Sequence, residues 1–545
     1  MNSFEITANL VDVLQQEIYP AKIYIADGRI RQITRTTDDC EGFIMPGFID
    51  AHVHVESSML VPSEFARLAV VHGTVATIND PHEIANVVGV PGVEYMLENG
   101  KQVPFKFNFG APSCVPATAF ETAGATIDAA AVASLLLRND IKYLTEMMNF
   151  PGVLHKDPEV MAKIAAAKSM NKPVDGHAPG LRGEDARHYI QAGISTDHEC
   201  FTIEEAREKL SYGMHILIRE GSAAKNFEAL IPLLPDYYEK IMFCSDDKHP
   251  DNLEEGHINL LVKRALAKGN ELFKVLRAAC VNPVLHYQLD NGLLREDDAA
   301  DFILVDNLKD FNILGTWING IKVAENGRTL IKSVDIAPIN NFDCEPKNVV
   351  DFFIPSTRES VTVPVIGAIE GELITEKLSA VLHPVNGNIQ SDTRQDVLKL
   401  AVVNRYTNAP IAMAFIKGFG LKEGAIASSV AHDSHNIIAV GADDQSLCTA
   451  INAVIAAKGG ISVVSKSGMD VLALPVAGLM SNLDGYTISA KYSAMDRAAK
   501  GIGSTLASPY MTLSFMALLV IPHLKLSDKG LFDGDTFTFV DQDLN

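Results

Sequence analysis

Between residues 46 and 244, short apolar runs rich in β-branched and aromatic side chains alternate with longer stretches of helical period. The runs lie at 48–55, 74–78, 105–109, 141–145, 172–176, 193–196, 215–218 and 241–244, with helical stretches such as 157–170 and 203–212 between several of them. Strands alternating with helices predict a parallel sheet. The first run reads Phe48-Ile49-Asp50-Ala51-His52-Val53-His54-Val55. Residues two apart in a strand share a face, so Asp50, His52 and His54 point one way and Ile49, Ala51, Val53 and Val55 the other.

The flanks have a different pattern. Residues 4–33 are short β-branched runs broken by turns, notably Asp27-Gly28 after Lys22-Ile23-Tyr24-Ile25, and they predict hairpins. Residues 292–305 and 316–323 have the same character. Beyond residue 346 the pattern changes again. Strand-like runs at 361–364, 379–383 and 411–417, an amphipathic helix at 445–458 and Gly-rich turns predict a further α/β domain. The expected division is 1–45 with 288–345, then 46–287, then 346–545.

Composition agrees with several packed domains: 545 residues suggest about three at roughly 150 each. With 47% hydrophobic and 21% charged residues, the chain is ordinary for a globular protein and not for a disordered one. A net charge of −22 argues against a nucleic-acid surface and favours a small uncharged or cationic substrate. The seven cysteines (40, 114, 200, 244, 280, 344 and 448) are scattered, odd in number and without a CxxC, so reduced thiols in the cytoplasm are expected. The N-terminus carries Glu5 and Asp12 and has no basic segment ahead of an apolar core, so no secretory signal is expected. The apolar stretch 511–524 is interrupted by Ser514, Pro522 and His523 and is too short for a membrane span.

Most strand-like runs end in polar residues: Asn79-Asp80-Pro81-His82-Glu83, Glu146, His177, Asp197-His198-Glu199, Arg219-Glu220 and Ser245-Asp246-Asp247. In parallel barrels the active site lies at the C-terminal ends of the strands. His52 and His54, about 7 Å apart along one strand face, are spaced to hold a divalent cation, whereas two buried imidazoles without partners would be costly.

The segment PGFIDAHVH, residues 46–54, resembles the first barrel strand of the amidohydrolase superfamily, metal-dependent hydrolases built on a (β/α)8 barrel. Its extension through Glu56-Ser57-Ser58-Met59-Leu60 is similar to the bacterial-type adenine deaminase family. The resemblance covers essentially the whole chain, including the C-terminal domain. It implies an α/β fold: the barrel, a small β-sandwich from the two flanking segments, and the extra C-terminal α/β domain. It also implies two divalent cations per chain, Mn or Fe in preference to Zn, held by His52, His54, Glu146, His177, His198 and Asp246. Glu146 stands where many relatives carry a carboxylated lysine.

In the family the aspartate at the position of Asp246 also accepts the proton of the attacking water, and its second oxygen is expected to be free for that task. Glu199 is a candidate to protonate the purine ring, provided the strand has ended before it. His82 and Glu83, and His432 and His435 in the stretch 431–436, are candidate contacts to substrate or to an extra metal. Asp484 is read as a turn residue without a role.

The implied reaction is hydrolytic deamination of free adenine to hypoxanthine and ammonia, in purine salvage. Two alternatives are a cyclic-amide hydrolase of the hydantoinase or dihydroorotase type and an inactive barrel scaffold. The absent bridging lysine and the extra domain oppose the first, and the complete ligand set opposes the second. No sequence feature fixes the oligomeric state; a homodimer is expected, with neither nucleic acid nor membrane as partner.

Overall fold

The computed structural model describes residues 3–542. The eight apolar runs are the strands of a closed parallel barrel: Phe48–Val53, Thr74–Asn79, Lys106–Ala111, Ile141–Met147, Val174–Gly176, Thr196–Asp197, His215–Arg219 and Ile241–Cys244. The first five pair in chain order, as do the last three. Single bridges close the ring, Val174 with Ile194 and Val53 with Asp246. At the second closure Asp246 N donates to His52 O at 2.9 Å and His54 N donates to Asp246 O at 3.3 Å. Candidate site residues thus stitch the last strand to the first.

Local signals set the helix starts. Asp157 caps Pro158–Ser169 by accepting from the amides of Glu159 and Val160, and Thr202 caps Ile203–Ser211 through Glu205 N.

The chain segments before and after the barrel form one eight-stranded sheet. Within it, Phe43–Pro46 runs parallel to Phe4–Asp12 and antiparallel to Phe302–Val305. The sheet curls until the turn at Asp27-Gly28 meets that at Asn319-Gly320: a Cβ on Gly28, whose φ is +74°, would fall 2.9 Å from Asn319 O. Its own core packs Ile23 and Ile25 with Phe302 and Trp317.

Beyond residue 360 lies a second eight-stranded sheet, from Thr375–Leu382 at one edge to Gly468–Ala473 at the other. Helix Asp444–Ala456 covers one face, packing Leu447, Ile451 and Val454 on Ala427, Ile437 and Ala439. Leu400, Ile426, Ile438 and Val440 belong to the same continuous apolar cluster as Ile49 and Val53 of the barrel. This part of the chain is therefore fused to the barrel by packing and is not merely tethered to it.

Asp484 is more than the turn residue expected from its Asn-Leu-Asp-Gly setting. It caps helix Gly485–Gly501 and accepts from Arg67 of helix Pro62–Ala69. Most of the stretch 511–524 is buried, with Val520, Pro522 and His523 partly exposed, and no helix among the described residues is long and apolar enough to cross a membrane.

Candidate active site

The strand ends bring His52, His54, Glu146, His177, His198 and Asp246 into one cluster, each no more than 5% exposed. His52 Nε2 and His54 Nε2 are 3.2 Å apart, and Asp246 Oδ1 lies 3.5 Å from the first and 3.3 Å from the second. On the other side of the cluster, Glu146 Oε2 stands 2.8 Å from His177 Nδ1 and 3.1 Å from His198 Nε2. Glu146 Oε1 turns back to His54 Nε2 at 3.4 Å. The carboxylate therefore presents one oxygen to each group of imidazoles.

This donor set fits divalent cations. Imidazole and carboxylate atoms converge on two neighbouring points, in the groupings His52-His54-Asp246 and His52-Glu146-His198, and such mixed nitrogen and oxygen donors suit a transition-metal ion. Both carboxylates are held in the charged form that ligation requires. Burial pushes Glu146 up, but His177, His198 and His54 outweigh it and hold the group well below the usual carboxylate range. Burial also opposes ionisation of Asp246, where Arg219 first, then His52 and His54, keep the group well down.

Side chains behind the cluster fix its geometry. Asp50 shares the strand face of His52 but turns to the barrel wall, accepting from Ser245 N at 3.0 Å and from the Ser245 hydroxyl, with His257 Nε2 at 2.7 Å. The far nitrogen of His257 meets Thr74 Oγ1 at 2.7 Å. Strands one, two and eight are thereby cross-tied beneath the site. Asp246 leaves its strand with φ +53°, a left-handed conformation that aspartate tolerates.

The second oxygen of Asp246 is not free. Arg219 Nη1 donates to Oδ2 at 2.6 Å, and the same buried guanidinium holds both Glu199 oxygens, with Nη2 at 3.2 Å from Oε2. Arg219 closes strand seven, between the strands that carry Glu199 and Asp246. Strand six ends at Asp197, so alternation no longer governs the next two residues, and both His198 and Glu199 face the cluster, with His198 Nε2 3.4 Å from Glu199 Oε1.

His82, Glu83, His432 and His435 meet at the barrel mouth, although about 350 residues separate the two pairs. Glu83 accepts from His432 Nδ1 and His435 Nε2. His82 Nδ1 is 3.6 Å from Glu146 Oε1, which links this group to the main cluster. A small cavity between the two is lined by His54, Glu199, Asp247 and three apolar side chains, Met148 from the barrel and Leu373 and Leu518 from the C-terminal part. Strand periodicity and motif spacing assign no role to Arg219, Asp433, Met148, Leu373 or Leu518. The leucines carry no signal in sequence, whereas an arginine ending a strand between two acid-ending strands does.

A closed parallel barrel with imidazoles and carboxylates converging at its C-terminal mouth defines a metal-dependent hydrolase of the amidohydrolase superfamily. Residues 43–323 match the profile of the Amidohydrolase family, and residues 372–538 that of the Adenine deaminase C-terminal domain. The chain is 55% identical to adenine deaminase of Sulfurovum sp. over 538 residues, covering 98% of this chain and 99% of that one. It is 55% identical to adenine deaminase of Salinibacter ruber over 542 residues, 99% of each chain. It is 50% identical to that of Borreliella burgdorferi over 549 residues, 99% of this chain and all of the other. The chain belongs to the adenine deaminase family.

Proposed function

We propose that the protein hydrolyses free adenine to hypoxanthine and ammonia, in the cytoplasm and in purine salvage. The observation that carries this reading is the Glu146 carboxylate standing between two imidazole groups in a chain whose full-length relatives are adenine deaminases. His52, His54 and Asp246 would hold one divalent cation and His177 and His198 a second, with Glu146 between them; Mn or Fe is favoured and Zn is compatible. Such a cation lowers the pKa of water from about 15.7 to near 7 and so makes hydroxide available at neutral pH.

The chain's own groups do the rest. Asp246 Oδ1 faces the cluster and takes the water's proton, while Arg219 fixes Oδ2. Glu199 carries a proton to the ring nitrogen. A new C6–O bond replaces the C6–N bond: the proton taken by Asp246 passes to the departing amino nitrogen, which leaves as ammonia, and the proton remaining on the new C6 hydroxyl replaces the one Glu199 gave to the ring, so hypoxanthine forms without redox change. Met148, Leu373 and Leu518 offer apolar surfaces for a flat purine, and the net charge of −22 suits a neutral base better than a phosphorylated or nucleic-acid substrate.

Leu373, Leu518, His432 and Asp433 close the cavity from the C-terminal side, and with this domain over the barrel mouth the substrate on this reading is the free base and not the nucleoside. Ammonia release measured across free bases, nucleosides and cyclic amides tests the reading. Adenine should be turned over, with adenosine and hydantoins at background; equal turnover of adenosine, or ring opening of a cyclic amide without adenine deamination, would contradict it.

A further inference from the structure

The mouth of the barrel holds another convergence of ligating atoms, which the proposed reaction does not use. His82 Nε2 lies 3.6 Å from Glu83 Oε1 and 3.6 Å from Asp433 Oδ1. The two oxygens of Glu83 face His432 Nδ1 and His435 Nε2, whose rings stand 5.8 Å apart between centroids. All five side chains are at most 3% exposed. Within the cluster, both ring nitrogens of His82, Nε2 of His432 and Oδ2 of Asp433 have no hydrogen-bond partner among the described residues.

We propose that His82, Glu83 and Asp433, with His432 and His435, form a third divalent-cation site that bolts the C-terminal part onto the barrel. A network held by protons alone leaves these atoms badly served. If all three imidazoles are neutral, the ionised Glu83 and Asp433 carboxylates are buried with no cation beside them. If the imidazoles are protonated, three like charges converge on Glu83 and Asp433, and although Asp80 Oδ2 lies 3.1 Å from His82 Nδ1 and Asp247 Oδ1 3.8 Å from His432 Nε2, neither His82 nitrogen nor His432 Nε2 has an aligned hydrogen bond among the described residues. Buried charges persist in proteins when they are paired or coordinate a metal. A divalent cation supplies the missing positive charge and accepts the unused nitrogen and oxygen lone pairs together. Mixed imidazole and carboxylate donors select the Mn, Fe and Zn class over Ca or Mg.

The location gives the site a purpose. His82 and Glu83 open the helix His82–Val88 directly after the second barrel strand, whereas His432, Asp433 and His435 lie between strands Ala425–Ser428 and Ile437–Gly441 of the C-terminal sheet. One cation would tie the two halves of the chain at the rim of the substrate cavity, where His82, Glu83, His432 and Asp433 are all wall residues.

Anomalous diffraction from crystals of the full-length protein equilibrated with manganous chloride tests the proposal by position. A peak is expected among His82, Glu83 and Asp433, separate from density at the His52 and His54 cluster. A map with peaks at that cluster and none here overturns the third site and leaves the deaminase reading untouched, and a map with no peak here overturns it in every case. Metal content gives a second readout. Asp433→Asn, a nearly isosteric change, and Glu83→Gln should each lose one equivalent of manganese relative to wild type, and full wild-type content in Asp433→Asn would contradict the site.

Discussion

At the scale of single residues, the arrangement turns on Arg219. Its guanidinium is fully buried and bonds to two carboxylates at once, Glu199 and Asp246. A buried charge survives only when paired and hydrogen-bonded, and here one guanidinium serves the two acids to which the proposed mechanism gives the proton transfers. The pairing orients Asp246 so that Oδ1 alone faces the cluster. Asp246→Asn keeps the shape and a ligating oxygen but removes the basicity, so kcat for adenine should fall by roughly 10²-fold or more, with metal content close to wild type. Near-normal kcat with metal retained would move the base to Glu199. Asp246 and Glu199 were legible in sequence because they end predicted strands. Arg219 ended one too, but its role depends on the ring order of strands six, seven and eight, which periodicity alone does not stress.

At the scale of elements, strand lengths decide which residues face the site. A two-residue sixth strand releases His198 and Glu199 from alternation, a fact no propensity predicts, since boundaries are the least reliable part of any sequence reading. The short strand Leu524–Ser527 acts on the other side of the cavity. Its Lys525 is fully buried and donates to the backbone oxygens of Leu373 and Phe515, tying down the segment that carries Leu373 into the cavity.

Burial pushes the Lys525 ammonium down to about 7, against about 10.4 for a lysine in an unfolded chain. Between those pH values the unfolded chain binds more protons than the folded one, so this group makes stability rise with pH, by up to about 1.4 kcal/mol per unit, and the burial cost is felt in full below pH 7. Thermal midpoints of wild type should therefore rise from pH 7 to pH 9 relative to those of Lys525→Met. Parallel curves for the two proteins would show that Lys525 keeps its proton in the fold.

At the scale of the whole molecule, the barrel supplies the chemistry and the C-terminal sheet closes the site. The barrel was legible because eight apolar runs and their polar ends repeat along the chain, and the presence of a further α/β domain was legible from the change of pattern after residue 346. The contribution of that domain to the cavity was not. Leu373 and Leu518 are ordinary apolar residues in sequence, and Asp433 becomes a wall residue only because the C-terminal part shares a continuous core with the barrel.

On the proposed function, Glu146 joins two cation-holding groups into one deaminating site. Glu146→Gln keeps the size of the side chain and removes the charge that faces His177, His198 and His54. Elemental analysis and ammonia release from adenine, measured on the same purified sample, decide whether Glu146 does so. This variant is expected to lose most of its metal and its deaminase activity together; full metal content with wild-type ammonia release would show that Glu146 joins nothing.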